Sequence, residues 1–261
     1  MKKLIALLMV AVMMAAMLAG CAATNNTNES GLKTVTAGKL TMSTNAAFPP
    51  YEMTNDEGGF EGIDIEIAEA IAKELGLELV IQDMGFTAAL EAAQNGKTDM
   101  VMAGVSVTPE REDVMCFSNS YATGIQVVII KEGSDVTMDN LDQKMIGTQM
   151  GTTGYLYASD TPENGGYGED HVIAYENGMT AVQALINGQV DCVIIDSAPA
   201  AEYVKANPGL TILETEYVIE EYAIGCDKGN TELVNAINAA LEELIADGTV
   251  QAIIEKYIPA N

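Results

Sequence analysis

The chain has 261 residues and a formal net charge of −26, from 38 acidic and 12 basic side chains. So acidic a chain repels nucleic acid and anionic lipid headgroups, which excludes both as expected partners. His171 is the only histidine and has no second ligand at zinc-like spacing, so neither a metal nor another cofactor is expected.

The chain begins with the pattern of a secretion signal. Two lysines precede an apolar run over residues 4–18, which is shorter than the roughly 20 residues that a transmembrane helix needs. The small residues directly before Cys21 resemble a lipoprotein processing box. We expect residues 1–20 to be a signal peptide and Cys21 to carry lipid; a short membrane span that stays attached is the alternative.

Residues 21–32 are mostly Ala, Asn, Thr, Ser and Gly, a composition that predicts a flexible tether. The folded part would therefore be held at the extracytoplasmic face of the cell membrane. Residues 33–261 suffice for two modest α/β lobes or for one large domain. No second long apolar run follows, which argues against a sensor kinase or a channel.

Three further cysteines, Cys116, Cys192 and Cys226, each lie in an apolar, strand-like run. Their number is odd, and no metal-ligand spacing connects them. We expect buried thiols that pack as small hydrophobic side chains.

Strand-like and amphipathic helical runs alternate along the folded part, which predicts an α/β fold. The predicted strands are 40–44, 77–82, 100–103, 126–131, 145–148, 172–175, 192–195 and 211–213, and the predicted helices include 63–75, 87–94 and 232–257. The last helix is expected to break at an Asp-Gly pair, residues 247–248.

Residues 89–104 and 181–196 repeat each other: a helix, an Asn-Gly stop, an aspartate and an apolar strand. Two such units suggest two similarly built lobes. Ligands of open α/β sheets lie beyond the carboxyl ends of the strands. We therefore expect Ala103, Gly104 and Ser106 on one side of a cleft and Asp196 on the other.

Two aromatic positions follow the first predicted strands. Phe48 lies in a proline-stiffened loop that begins at Asn45, and Phe86 follows the second strand. Either side chain could pack in a core or form a wall of an apolar pocket.

Arg111 is placed in the first turn of a short helix by Thr108, a good capping residue, and by Pro109. The helix dipole slightly disfavours a cation there, so an arginine at this position commonly binds an anion. The alternative is an ion pair with a neighbouring acidic side chain.

Two later segments also follow predicted strands. Residues 149–153, from Gln149 to Thr153, open a helix whose free N–H groups could meet an anion, or form only a flexible turn. Asp196 could anchor an ammonium group or could cap the helix that follows.

Together the segments 48–51, 62–64, 104–111, 149–154 and 193–196 resemble the family 3 solute-binding proteins of ABC transporters, the polar amino-acid group. The resemblance implies a type II periplasmic-binding-protein fold: lobe 1 of residues 33–121 plus 223–261, lobe 2 of 126–218, and hinges at 120–126 and 218–222. It also implies an ABC permease as partner, no catalysis, and a monomer.

The resemblance further implies individual roles. Arg111, Ser106 and the N–H of Thr153 would hold a ligand carboxylate, and Asp196 with the Gly104 carbonyl would hold its ammonium group. The remaining candidates would surround the side chain: Phe48 and Phe86 as flanking walls, Asn45 and Gln149 at its tip.

Position 45 bears on specificity, because relatives with cationic ligands tend to carry an acid there. Asn45 is neutral and favours a neutral polar ligand such as glutamine or cystine, although Glu52 or Asp64 could approach and change this. An enzyme of the same fold, such as a dehydratase, and a chemosensory binding module are the rival functions.

Overall fold

The computed structural model describes residues 31–213 and 217–259. The predicted signal peptide and Cys21 lie outside the described residues. Within the described part, no helix has the length and apolar character needed to cross a membrane.

The described residues form an α/β fold. The strands are β1 Lys39–Thr44, β2 Ala47–Phe48, β3 Glu52–Thr54, β4 Phe60–Glu61, β5 Glu78–Asp83, β6 Met100–Val101, β7 Met115–Phe117, β8 Ala122–Lys131, β9 Ile146–Gln149, β10 Val172–Tyr175, β11 Cys192–Asp196, β12 Leu210–Ile212, β13 Val218–Tyr222 and β14 Gly225–Asp227. The α-helices are α1 Ile63–Glu74, α2 Phe86–Gln94, α3 Pro109–Glu112, α4 Thr153–Ser159, α5 Gly178–Ile186, α6 Ser197–Ala206, α7 Thr231–Ala246 and α8 Thr249–Tyr257.

Every predicted strand appears within two residues of its expected start, except that β8 begins four residues earlier. The C-terminal helix breaks at Gly248 as expected, and this glycine has a positive φ of 85°. The short strands β2, β3 and β4, which form a separate antiparallel sheet, were not predicted. Residues 47–61 are rich in proline, glycine and acidic residues, so no alternating apolar pattern identifies these strands.

The larger strands form two sheets. A five-stranded sheet has the order β5-β1-β6-β14-β7, and in it β1 runs parallel to both neighbours. A six-stranded sheet has the order β10-β9-β11-β8-β12, with β13 also paired to β8. The repeated units contribute β6 to the first sheet and β11 to the second, and the glycines that end their helices, Gly96 and Gly188, have the expected positive φ angles.

The chain passes between the sheets along β8 and β13. These strands are antiparallel and pair over five residue pairs, from Val218 opposite Gln126 to Tyr222 opposite Ala122. Tyr222 also forms a bridge to Ser106, on the side of the five-stranded sheet. The two passages between the sheets therefore lie side by side and are hydrogen-bonded to each other.

Helix α1 shows how local sequence anchors the five-stranded sheet. Isoleucines at 63, 65, 67 and 71 are all buried, and α1 packs against α7 and α8. The helix starts after Gly62, whose φ is 132° and where a Cβ would lie 2.2 Å from the Tyr51 carbonyl oxygen. Only glycine fits there, because the loop passes directly beneath the helix start.

The three cysteines in the described part are free thiols. Cys192 and Cys226 are buried, as expected of small hydrophobic side chains, whereas Cys116 is half-buried. Cys116 and Cys226 are directly opposed on β7 and β14, and the Cys116 thiol lies 3.1 Å from the Asp227 carbonyl oxygen.

Candidate functional site

All ten ligand-binding residues predicted from sequence line one cavity between the two sheets. They are Asn45, Phe48, Phe86, Ala103, Gly104, Ser106, Arg111, Gln149, Thr153 and Asp196, and Glu52 and Thr152 complete the lining. Most follow the carboxyl ends of β1, β5, β6, β9 and β11, which explains why residues distant in sequence converge. A wider, open groove lies outside the cavity, and of the predicted residues only Thr153 borders it.

Arg111 is buried and points its guanidinium group across the cleft. Thr108 caps helix α3 by accepting a hydrogen bond from the Arg111 N–H at 3.3 Å, as predicted. Nη1 donates to the Ser106 carbonyl at 2.8 Å, and Nη2 donates to the Gly151 carbonyl, on the side of the six-stranded sheet, at 3.1 Å. The guanidinium carbon lies 5.5 Å from the centre of the Phe86 ring, within the range of a cation–π contact.

No ion pair neutralises Arg111 among residues 31–213 and 217–259, so the alternative of a simple pair with a neighbouring acid is not observed. Burial lowers the pKa of Arg111, while the charge of Glu220 opposes that shift. The guanidinium stays protonated, because even a lowered arginine pKa lies far above neutral pH. A buried cation whose hydrogen bonds go to neutral carbonyl groups can bind an anion.

Asp196 occupies the first position before α6, but its side chain forms no capping hydrogen bond. Its Oδ1 accepts from the Tyr222 hydroxyl, and its Oδ2 accepts from Gln126 Nε2 at 2.8 Å. Burial, reinforced by the charge of Glu220, raises the pKa of Asp196 to about 7 despite these hydrogen bonds. The side chain is therefore held at the cavity by the two crossing strands, and a cation beside it would favour its ionised form.

Gly104 has a left-handed backbone conformation, and the Phe48 ring lies too close to its Cα to leave room for a side chain. Its φ is 55°, and a Cβ there would lie 2.7 Å from Phe48 Cε1. The Gly104 N–H donates to Asp64 Oδ2 at 2.9 Å, and the Tyr121 hydroxyl donates to Asp64 Oδ1 at 2.7 Å. Burial raises the pKa of Asp64 to about 6, and its hydrogen bonds oppose the shift. Asp64 thus fixes the orientation of the peptide group at Gly104.

Asn45 and Gln149 meet across the cleft. Gln149 Nε2 donates to Asn45 Oδ1 at 2.9 Å, and Asn45 Nδ2 donates to the Met84 carbonyl at 3.0 Å. The two amides therefore form a polar end of the cavity, while Phe48 and Phe86 form its apolar walls. The roles expected of these four side chains toward a ligand stay predictions.

Ser106 and Thr153 are at the cavity, but their hydroxyl groups are directed elsewhere. Both donate to Glu220 Oε2 at 2.9 Å, and Gln126 Nε2 donates to the same oxygen at 3.1 Å. Sequence reasoning missed Glu220. It lies on β13, where Ile219 is 62% exposed and Glu220 is 6% exposed, the reverse of what hydrophobicity predicts.

Glu52 is the second acid that belongs to the cavity. It is fully buried, and its carboxyl group lies beside that of Asp64, close enough for the two to share a hydrogen bond. Burial and the charge of Asp64 raise its pKa well above the ordinary value. The sequence indicated that Glu52 could approach, but β3, the strand that carries it into the cavity, had no recognisable pattern.

The arrangement is suited to binding a zwitterion. A buried guanidinium group, Arg111, and a buried carboxyl group, Asp196, line the same cavity together with the rings of Phe48 and Phe86. In the described ranges, no three His, Cys, Asp or Glu side chains are grouped as metal ligands.

Comparisons with known proteins agree on one family. The family model described as bacterial extracellular solute-binding proteins, family 3, matches residues 40–260. A putative ABC transporter arginine-binding protein of Escherichia coli is 29% identical over 87% of this chain and 93% of its own length. The L-cystine-binding protein TcyJ of Escherichia coli is 30% identical over 96% of this chain and 94% of its own.

Solved structures show the same fold. An ancestral arginine-binding protein bound to glutamine superposes with a TM-score of 0.78 and 38% identity, over 85% of this chain and 99% of the other. The structure thus has the type II periplasmic-binding-protein architecture expected from sequence.

Proposed function

Since the chain belongs to family 3 of the bacterial extracellular solute-binding proteins, we propose that the cavity between its two sheets holds one free amino acid. The protein is an extracytoplasmic amino-acid-binding protein of an ABC transporter. The observation that supports the proposed pose is that a buried guanidinium group, Arg111, and a buried carboxyl group, Asp196, line the same cavity.

In this pose the ligand carboxylate binds the Arg111 guanidinium group and the N–H of Thr153, and its ammonium group binds Asp196 and the Gly104 carbonyl. The helix dipole of α4 adds a favourable term for an anion beside Thr153, its first residue. The Ser106 hydroxyl donates to Glu220, so in this arrangement its proton is not available to the ligand carboxylate.

Capture involves closure of two lobes around the ligand. We assign residues 33–121 plus 223–261 to lobe 1 and residues 126–218 to lobe 2, with 120–126 and 218–222 as hinges. The pairing of β8 with β13 and the two separate sheets support this division. Ligand contacts from both lobes are complete only in the closed form, so binding shifts the hinge equilibrium toward closure.

The side chain of the ligand would extend toward Asn45, Gln149 and Glu52. Two neutral amides, and a Glu52 carboxyl group whose pKa is raised by burial, support a neutral polar ligand such as glutamine or cystine. The buried acidic pair of Glu52 and Asp64 also supports a second candidate, a cationic amino acid such as arginine, because a guanidinium group would pair with the Glu52 carboxylate.

Calorimetric titration of the refolded, ligand-stripped protein against the twenty amino acids and cystine tests the class. We expect micromolar or tighter binding of one or a few polar amino acids. Glu52→Gln separates the two candidates: it should weaken arginine binding about thirtyfold, through loss of a buried charge partner, but glutamine binding less than about threefold. Glu57→Gln, an exposed position in the same loop, is the matched control. Absence of binding heat with every amino acid tested would refute the proposed zwitterion site.

We further propose that the protein is anchored by lipid on Cys21 and delivers its ligand, as a monomer, to ABC permease subunits. The apolar run over residues 4–18 and the small residues before Cys21 support the anchor. Intact mass spectrometry of protein extracted from membranes should show a chain that begins at lipidated Cys21. A chain that begins at Met1 would refute the lipoprotein assignment.

A further inference from the structure

Glu220 links parts of the protein that lie on both sides of the cleft. Its Oε2 accepts hydrogen bonds from the Ser106 and Thr153 hydroxyl groups, both at 2.9 Å, and from Gln126 Nε2 at 3.1 Å. Ser106 follows β6 of the five-stranded sheet, and Thr153 begins α4 after β9 of the six-stranded sheet. Glu220 itself lies on β13, one of the two crossing strands.

The three hydrogen bonds to one carboxylate oxygen are buried and involve an ionisable acceptor. Glu220 is 6% exposed, and its other oxygen has no partner among the described residues. Hydrogen bonds to a charged acceptor are about twice as strong as neutral ones, and a buried carboxylate that loses them stays poorly solvated. Separating Ser106 from Thr153 must therefore break at least one strong hydrogen bond.

Every atom of this cluster belongs to the chain, so the link needs no ligand. We propose that Glu220 is an internal clasp, a positioning residue that joins the Ser106 side and the Thr153 side of the cleft and stabilises the closed form before ligand binds. The inference rests on the proposed function only in that closure of the cleft is the motion that captures a ligand.

The clasp also affects the anion site. Glu220 accepts the hydrogen bonds that the Ser106 and Thr153 hydroxyl groups can donate, which leaves the guanidinium group of Arg111 as the main side-chain donor for a ligand carboxylate. Its negative charge also opposes the effect of burial on Arg111. Because apparent affinity scales with the fraction of protein in the binding-competent form, a larger closed fraction tightens binding.

Distances between spin labels on the two sides test the clasp directly. Labels at Glu57→Cys and Glu163→Cys are both on exposed residues, one beside the small antiparallel sheet and one beyond α4. Cys116→Ser in all samples removes the half-buried thiol. In ligand-free protein, Glu220→Gln should shift the distribution toward long distances and lower the closed-to-open ratio about tenfold, or about 1.4 kcal/mol.

Glu221→Gln is the matched control, because it removes the same charge from the next residue of β13. Glu221 is exposed and accepts a hydrogen bond from the Ser120 hydroxyl at 2.8 Å. Its ligand-free distances should equal those of the parent. Should Glu220→Gln fail to fold, Thr153→Val removes one arm of the clasp and should give a smaller shift in the same direction.

Unchanged ligand-free distances in Glu220→Gln, or equal shifts in Glu220→Gln and Glu221→Gln, would overturn the clasp. The distance measurement needs no ligand. If no amino acid gave a binding signal in calorimetry, the proposed function would be refuted, but the distances measured for Glu220→Gln would still test the clasp. Conversely, normal amino-acid binding with unchanged distances in Glu220→Gln would refute the clasp alone.

Discussion

Arg111→Ala is expected to weaken amino-acid binding by at least about 100-fold, because truncating one partner of a buried charge pair costs about 2–5 kcal/mol. Arg111 is the only arginine in the chain, and among the residues that the structure describes no other cationic side chain lines the cavity. Its guanidinium group is already oriented by the Ser106 and Gly151 carbonyls, so a ligand carboxylate meets a preformed donor. Calorimetry with the ligand identified by the amino-acid panel measures the loss.

Two further variants separate the role of Arg111 in binding from its role in folding. Arg111→Lys keeps the charge but loses the two-pronged geometry, and should retain part of the affinity. Lys228→Ala removes an exposed cation that donates to the Glu112 and Asp113 carbonyls at the end of α3, and should change affinity by less than about threefold. Arg111→Ala protein that is folded and binds as well as the parent would disprove the carboxylate assignment.

Asp196→Asn is expected to weaken binding about 100-fold at pH 8 and to remove a pH dependence. The pKa of Asp196 is raised to about 7, so in the free protein a proton occupies it increasingly below that pH. A ligand ammonium group favours the ionised form, so binding releases this proton. Parental affinity should therefore fall as pH drops below 7, by at most about tenfold per pH unit, and the variant should lack this slope.

Glu202→Gln is the control for Asp196→Asn. Glu202 is on α6, the helix that Asp196 precedes, and its ion pair with Lys205 is exposed, so its loss should affect neither affinity nor slope. A parental affinity that is constant between pH 5 and pH 8 would show that Asp196 does not hold the ammonium group.

Much of the fold was predictable because its signals are local. The Asn-Gly stops after the repeated helices, the capping Thr108 and the break at Gly248 each depend on a few neighbouring residues. The convergence of candidates was predictable for a different reason: residues that follow parallel strands meet at one edge of a sheet. Asn45, Phe86 and Gln149 reach the cavity in this way.

Glu220 could not be placed in this way, because its burial depends on strand pairing distant in sequence. Glu52 was missed for another reason: β2, β3 and β4 pair locally but have no alternating apolar pattern. On β13 the pleat puts Glu220 and Tyr222 on one face, and only the pairing with β8 decides that this face is the buried one. Gly124 illustrates the same limit: a Cβ there would lie 2.4 Å from the Tyr222 hydroxyl oxygen, a constraint that no pattern near residue 124 reveals. The burial of such residues can be recognised only when the pairing of both strands is known.

The hydrogen bonds between β8 and β13 also restrict the mechanics of the protein. Two crossing segments that were not paired would let the sheets rotate relative to each other about several axes. A two-stranded ribbon joined over five residue pairs instead bends most easily perpendicular to its own plane. The sheets consequently have one soft degree of freedom, a bending angle. Under the proposed function, amino acids of different size would stop that bend at different angles along one path.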